Sequence, residues 1–123
     1  NFTQGPNSSA IFRSCRAGQD GGGLDASSYR QEAGSSVLFE NCLADTSHSW
    51  GGGGAFVENF TQGPNSSAIF RSCRAGQDGG GLDASSYRQE AGSSVLFENC
   101  LADTSHSWGG GGAFVENFTQ GPN

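Results

Sequence analysis

Ser8-Ser9-Ala10-Ile11-Phe12-Arg13-Ser14-Cys15-Arg16-Ala17 is answered 27 residues later by Ser35-Ser36-Val37-Leu38-Phe39-Glu40-Asn41-Cys42-Leu43-Ala44. The Ser pair, the Phe, the Cys and the final Ala keep their places while the residues between them change, so one structural element is written twice. After the Cys the offset becomes 31: Gly21-Gly22-Gly23-Leu24 matches Gly52-Gly53-Gly54-Ala55, Ala26 matches Val57, and Tyr29 matches Phe60. The four extra residues fall in the stretch 44–50 and read as a loop insertion.

A second, longer identity encloses the first. Asn1–Glu58 recurs letter for letter as Asn59–Glu116, and the frame starts again at Asn117. A fixed period of this length marks an array whose units cannot bury their apolar faces alone and must stack on neighbours. The chain divides into half-units 8–34, 35–65, 66–92 and 93–123, with 1–7 as the end of a preceding one, and no linker separates them. It reads as one continuous solenoid segment, 1–123, cut from a longer array.

Composition supports stacking over a conventional core. Hydrophobic residues make up 33% of 123 positions and Gly supplies 21, so a globular interior would be thin, while nine Phe can line a narrow one in register. Six Arg, no Lys and twelve acidic residues give a formal charge of −6 with no basic cluster, which argues against nucleic acid as a partner. No apolar run is long enough to span a membrane in this segment.

Ala10–Phe12 and Val37–Phe39 alternate with period two, as do Leu24–Ala26 and Ala55–Val57, and no segment carries helical spacing. Three strands of about four to six residues per turn of 27 or 31, broken by Gly, Ser, Asn, Asp and Pro, fit one coil of a parallel β-helix. The fold class expected is all-β, with two unequal coils per repeat. Equivalent side chains then form columns: Phe12, Phe39, Phe70 and Phe97; Cys15, Cys42, Cys73 and Cys100; Tyr29, Phe60, Tyr87 and Phe118.

Phe39-Glu40-Asn41-Cys42 followed by Gly53-Gly54-Ala55-Phe56, and Phe12-Arg13-Ser14-Cys15 followed by Gly22-Gly23-Leu24-Asp25, each copied 58 residues on, resemble the repeats of the chlamydial polymorphic outer-membrane proteins. Those repeats carry Phe-x-x-Asn and then Gly-Gly-Ala with Ile, Leu or Val. Here Cys stands at the Asn position, and one Gly-Gly-Ala is Gly-Gly-Leu. The resemblance implies a right-handed parallel β-helix used for surface display, adhesion or extracellular structure.

The four Cys are spaced 27, 31 and 27 apart and form no Cys-x-x-Cys pair, which is poor spacing for zinc. Stacked coils bring neighbouring Cα atoms to about 5 Å, within disulfide range. Bridges such as Cys15 to Cys42 are open, as is the pairing Cys42 to Cys73, and so is a role for each Cys as a small buried hydrophobe. Bridges would place the chain in an oxidising compartment. Asn-x-Ser/Thr occurs at Asn1, Asn7, Asn59, Asn65 and Asn117. Asn7 and Asn65 follow Gly-Pro in a predicted turn, which makes them better acceptors than Asn59, whose neighbour Phe60 is expected to point inward.

Asp45-Thr46-Ser47-His48-Ser49 holds the residue types of a hydrolase triad, but contiguous loop residues do not converge as a triad does. The nine-residue rhythm of calcium-binding β-rolls is absent. No catalytic residue, metal site or cofactor is expected. Asp45, His48 and Trp50, with Asp103, His106 and Trp108, form the loops available for assembly or binding, and carbohydrate is a partner that the Trp rings would suit. The sequence therefore points to a structural extracellular protein, a segment of a filament or surface stalk whose partners are further copies or repeats end to end or side by side. The alternative is an adhesin displaying the 43–51 and 101–109 loops, and letter-for-letter identity also suits a consensus-designed repeat.

Overall fold

The computed structural model describes residues 1–18, 21–44, 51–76, 79–102 and 111–121. Its regular elements are strands alone: β1 (Phe2–Gln4), β2 (Ser9–Arg13), β3 (Arg16–Ala17), β4 (Leu24–Gln31), β5 (Ser36–Glu40), β6 (Leu43–Ala44), β7 (Ala55–Gln62), β8 (Ser67–Arg71), β9 (Arg74–Ala75), β10 (Leu82–Gln89), β11 (Ser94–Glu98), β12 (Leu101–Ala102) and β13 (Ala113–Gln120). They stack into three parallel sheets, β1-β4-β7-β10-β13, β2-β5-β8-β11 and β3-β6-β9-β12. The result is a parallel β-solenoid of about four turns.

Register follows the two offsets in the sequence. Phe12 pairs with Phe39, Phe39 with Phe70 and Phe70 with Phe97. Beyond the insertion, Leu24 pairs with Ala55, Ala55 with Leu82 and Leu82 with Ala113. Parallel pairing needs a long connection between partner strands, and here the rest of each coil provides it.

Strand lengths are less even than the sequence suggests. Each coil carries strands of five, two and eight residues. The long strand escapes a simple period-two reading because its inward phase switches partway: Ala55, Val57, Phe60 and Gln62 are buried, with Glu58 and Asn59 both exposed between them. Two successive outward residues switch the phase, and the pairing skips Glu58 and resumes at Asn59.

Left-handed residues turn the corners in columns. One corner is Asn7, Gly34, Asn65 and Gly92, with φ of 55°, 72°, 56° and 74°. A second is Ser14, Asn41, Ser72 and Asn99, with φ between 54° and 56°. Asn tolerates this region better than most residues, and Gly enters it without steric cost. Backbone bonds carry the ladder around the corner, as in Asn41 N–H to Arg71 O at 3.0 Å and Asn65 N–H to Ala91 O at 3.0 Å. A Ser hydroxyl closes each turn of the first column, with Ser35 donating to Glu32 O at 2.8 Å and Ser66 to Gly63 O at 2.7 Å.

Candidate functional site

Side chains of the solenoid form columns, and the interior ones are apolar, sulfur-bearing or amide. Phe12, Phe39, Phe70 and Phe97 stack with ring centroids 4.7, 4.8 and 5.0 Å apart and planes within 11° of parallel. Phe2, Tyr29, Phe60 and Tyr87 form a second stack at 5.0, 4.9 and 4.8 Å, and Phe118 continues the column at 5.2 Å with its ring tilted by 53°. In-register pairing sets these spacings, because each ring is attached to a backbone about 4.8 Å above the last.

The four cysteines stand one per coil, Cys42 and Cys73 buried and Cys15 and Cys100 half-buried. All are free thiols, so the bridges between adjacent coils that the spacing allows are not formed in this structure. Three of the sulfurs are instead turned along the axis toward a main-chain oxygen of the coil before. Cys42 Sγ donates to Phe12 O at 3.3 Å, Cys73 Sγ to Phe39 O at 3.3 Å, and Cys100 Sγ to Phe70 O at 3.2 Å. Hydrogen bonding with Cys100 and Cys42, followed by burial, pushes the Cys73 thiol far up. The same Cys73 hydrogen bond draws Cys42 and Cys100 down.

A third interior column has no apolar signature. Gln4, Gln31, Gln62 and Gln89 are buried one above another, and their amides bond along the axis: Gln62 Nε2 to Gln31 Oε1 at 3.0 Å and Gln89 Nε2 to Gln62 Oε1 at 2.9 Å. The amides also donate across the coil, Gln31 Nε2 to Ser67 O and Gln62 Nε2 to Ser94 O, both at 2.9 Å. Tyr29 OH donates to Gln4 Oε1 at 2.7 Å, and Tyr87 OH to Gln62 Oε1. Burial pushes both phenols up, which keeps them as donors. Sequence reasoning passed over this column, although the recurring Tyr29-Arg30-Gln31 and Phe60-Thr61-Gln62 carried the signal.

Outside, the columns alternate by coil type. Arg13, Glu40, Arg71 and Glu98 occupy one register position, with Arg13 Nε 2.8 Å from Glu40 Oε1, Arg71 Nε 2.8 Å from Glu98 Oε1, and Arg71 also 3.8 Å from Glu40. Asn1, Asn59 and Asn117 lie exposed on one outer column, interleaved with Ser28 and Ser86, whose hydroxyls donate to Asn1 Oδ1 and Asn59 Oδ1 at 2.9 and 2.6 Å. Phe60 is buried beside exposed Asn59, as strand alternation requires. Asn7 and Asn65 are exposed at the first corner, with each Oδ1 laid where a Cβ of Gly34 or Gly92 would otherwise sit.

Asp45, His48, Trp50, Asp103, His106 and Trp108 lie outside the described residues. Among the described residues, no group of three or more His, Cys, Asp or Glu is arranged to hold a metal, and no helix is long and apolar enough to cross a membrane. An open cavity of about 380 Å³ lies at the last coil, lined by Tyr87, Val95, Phe97, Ala113, Val115 and Phe118. It is the mouth of the apolar interior, and its lining offers no titratable pair suited to acid–base work. No family model, curated protein or solved structure matches this chain.

Proposed function

We propose that the chain is a load-bearing segment of an extracellular β-solenoid, a filament or surface stalk, whose activity is to extend and to hold shape. The observation that supports this reading most is the continuity of the interior columns: Phe on Phe, Cys on Cys and Gln on Gln, with the same step repeated from coil to coil. Such a column gains stability from each added coil, which suits a protein selected for length. Exposed Asn1, Asn7, Asn59, Asn65 and Asn117 are consistent with a glycosylated surface. Thiols stacked one per coil suit oxidation to inter-coil bridges during secretion, each pair giving up two electrons and two protons to a disulfide oxidant of that compartment.

Electron microscopy and fibre diffraction of the native material test the reading. Long uniform fibres are expected, with a strand reflection near about 4.8 Å and a two-coil repeat of about 9.6 Å along the axis. Separate short projections, or hits on a glycan array, would favour the adhesin. Intact mass before and after deglycosylation and reduction reads the glycans and bridges directly. An unchanged mass in both treatments would remove the secreted-glycoprotein part.

A further inference from the structure

The outer face of the β2-β5-β8-β11 sheet carries three columns, and one of them is apolar on every coil. Ser9, Ser36, Ser67 and Ser94 form the first, Ile11, Leu38, Ile69 and Leu96 the second, and Arg13, Glu40, Arg71 and Glu98 the third. Alternation fixes their outward direction, because Val37, Phe39, Ala68 and Phe70 between them are buried. Leu38 and Ile69 each have a coil above and a coil below, and both are still only half-buried. Their exposure is sideways, so it does not depend on where the stack starts or stops. The other outward strand columns of the described residues are polar on at least every second coil, as with Asp25 against Phe56, Arg16 against Leu43 and Arg30 against Thr61.

We propose that this face is an interaction surface whose partner is the same face of a second copy of the chain, lying alongside with its axis antiparallel. This is the side-by-side contact of the filament reading, on which it rests. Parallel sheets are usually covered on both faces, and here the inner face alone is covered by the chain's own core. An identical strip is the best match for a strip one residue wide, since both keep the coil period of about 4.8 Å and stay in step along their whole length. Sheets packed face to face sit about 10 Å apart, within reach of Leu and Ile from both sides. The neighbouring Ser side chains are short, so on that flank nothing holds the second copy off.

The charged column chooses the direction and the register. A two-fold axis along the strands, placed between coils 35–65 and 66–92, sets Leu38 on Ile69 of the other copy and Glu40 on its Arg71. The same operation brings Ile11 to Leu96 and Arg13 to Glu98. A slip of one coil puts Glu40 on Glu40 and Arg13 on Arg71, which like charges in register disfavour. Copies with parallel axes would set the charged column against the Ser column, and no charge would be answered across the contact. Arg71 is shared between Glu40 and Glu98 of its own chain at 3.8 and 2.8 Å, and its side chain is 39% exposed, which leaves guanidinium donors for an incoming carboxylate. Opposite charges therefore meet only in every second register, and the alternation of coils sets that rule.

Sedimentation velocity of the 123-residue chain over a concentration series tests this, with circular dichroism confirming that each variant is folded. The wild type should form a dimer whose frictional ratio does not exceed the monomer's, because two rods side by side are no longer than one. Leu38→Ser and Ile69→Ser leave the core untouched and should each weaken the dimer by about tenfold. Glu40→Arg and Arg71→Glu should each weaken it by about fivefold, and the two combined in one chain should recover it, because exchanging the charges restores opposite signs across the two-fold axis. A chain that stays monomeric at millimolar concentration overturns the contact but leaves a filament one solenoid wide, read by electron microscopy, intact. Oligomers that lengthen with concentration and ignore Leu38→Ser and Ile69→Ser overturn it as well and point to end-to-end joining. Dimers that need Leu38 and Ile69 but ignore both charge reversals overturn the antiparallel register.

Discussion

Coils 35–65 and 93–121 share one sequence, position for position, and differ in what lies above them. Phe60 is 1% exposed and its twin Phe118 is 55% exposed. Phe39, Cys42, Ala55 and Val57 are buried, while Phe97, Cys100, Ala113 and Val115 are half-buried. Gln62 is sealed in the amide column, and Gln120 faces solvent. Burial here belongs to the neighbour as much as to the residue. Coil stability is accordingly expected to peak in the middle of the stack and fray at its ends.

Substitutions at matched positions put this contrast between twin coils at risk. The largest difference is expected from the aromatic stack: Phe39→Ala removes a ring packed on both faces and should cost about 3–5 kcal/mol, with Phe97→Ala costing less than about half of that in the same urea titration. Gly53→Ala comes next. A Cβ there would overlap Gly80 O and the Arg74 backbone, whereas at the twin Gly111 it would meet, among the described residues, only Cys100 O at 3.2 Å. Gly53→Ala should therefore cost about 3 kcal/mol and Gly111→Ala under about 1, read by thermal unfolding. Equal losses would mean that the glycines matter for their backbone freedom and not for the close approach.

The amide column predicts a smaller gap. Gln62→Leu strips Tyr87 OH and Gln89 Nε2 of their shared acceptor and Gln31 Oε1 of its donor, and should cost about 1–3 kcal/mol. Gln120→Leu should fall within about 0.5 kcal/mol of wild type. At the second corner, where Ser72 holds φ of 54° and alternates with Asn41 and Asn99, Ser72→Asn should raise stability by about 0.5 kcal/mol, because Asn occupies this region at lower strain. A loss at Ser72→Asn would show that the hydroxyl makes a contact worth more than the relieved backbone.

Much of the architecture was legible because stacking imposes identity. Columns of Phe and Cys and the glycine runs repeat at 27 and 31, and pairing in the structure keeps that register through every coil. Strand lengths were less legible, since the phase switch at Glu58–Asn59 hides an eight-residue strand behind a broken alternation. The glutamine column was missed for a related reason. A buried amide has no hydrophobic signature, and its burial is tolerable only once a neighbour one coil away completes its hydrogen bonds. Sulfur chemistry was the hardest to read, because a 27-residue spacing permits bridge and thiol alike, and side-chain direction separates them.

The repeat, its 27- and 31-residue offsets and the Phe and Cys columns are properties that the coils carry in their own residues, and the amino-acid order was enough to specify them. Which copies of those residues are buried, which amides are satisfied and which thiols face a carbonyl came from the fold alone. Those outcomes depend on the coil above and the coil below, and identical sequences at 35–65 and 93–121 therefore end in different physical states.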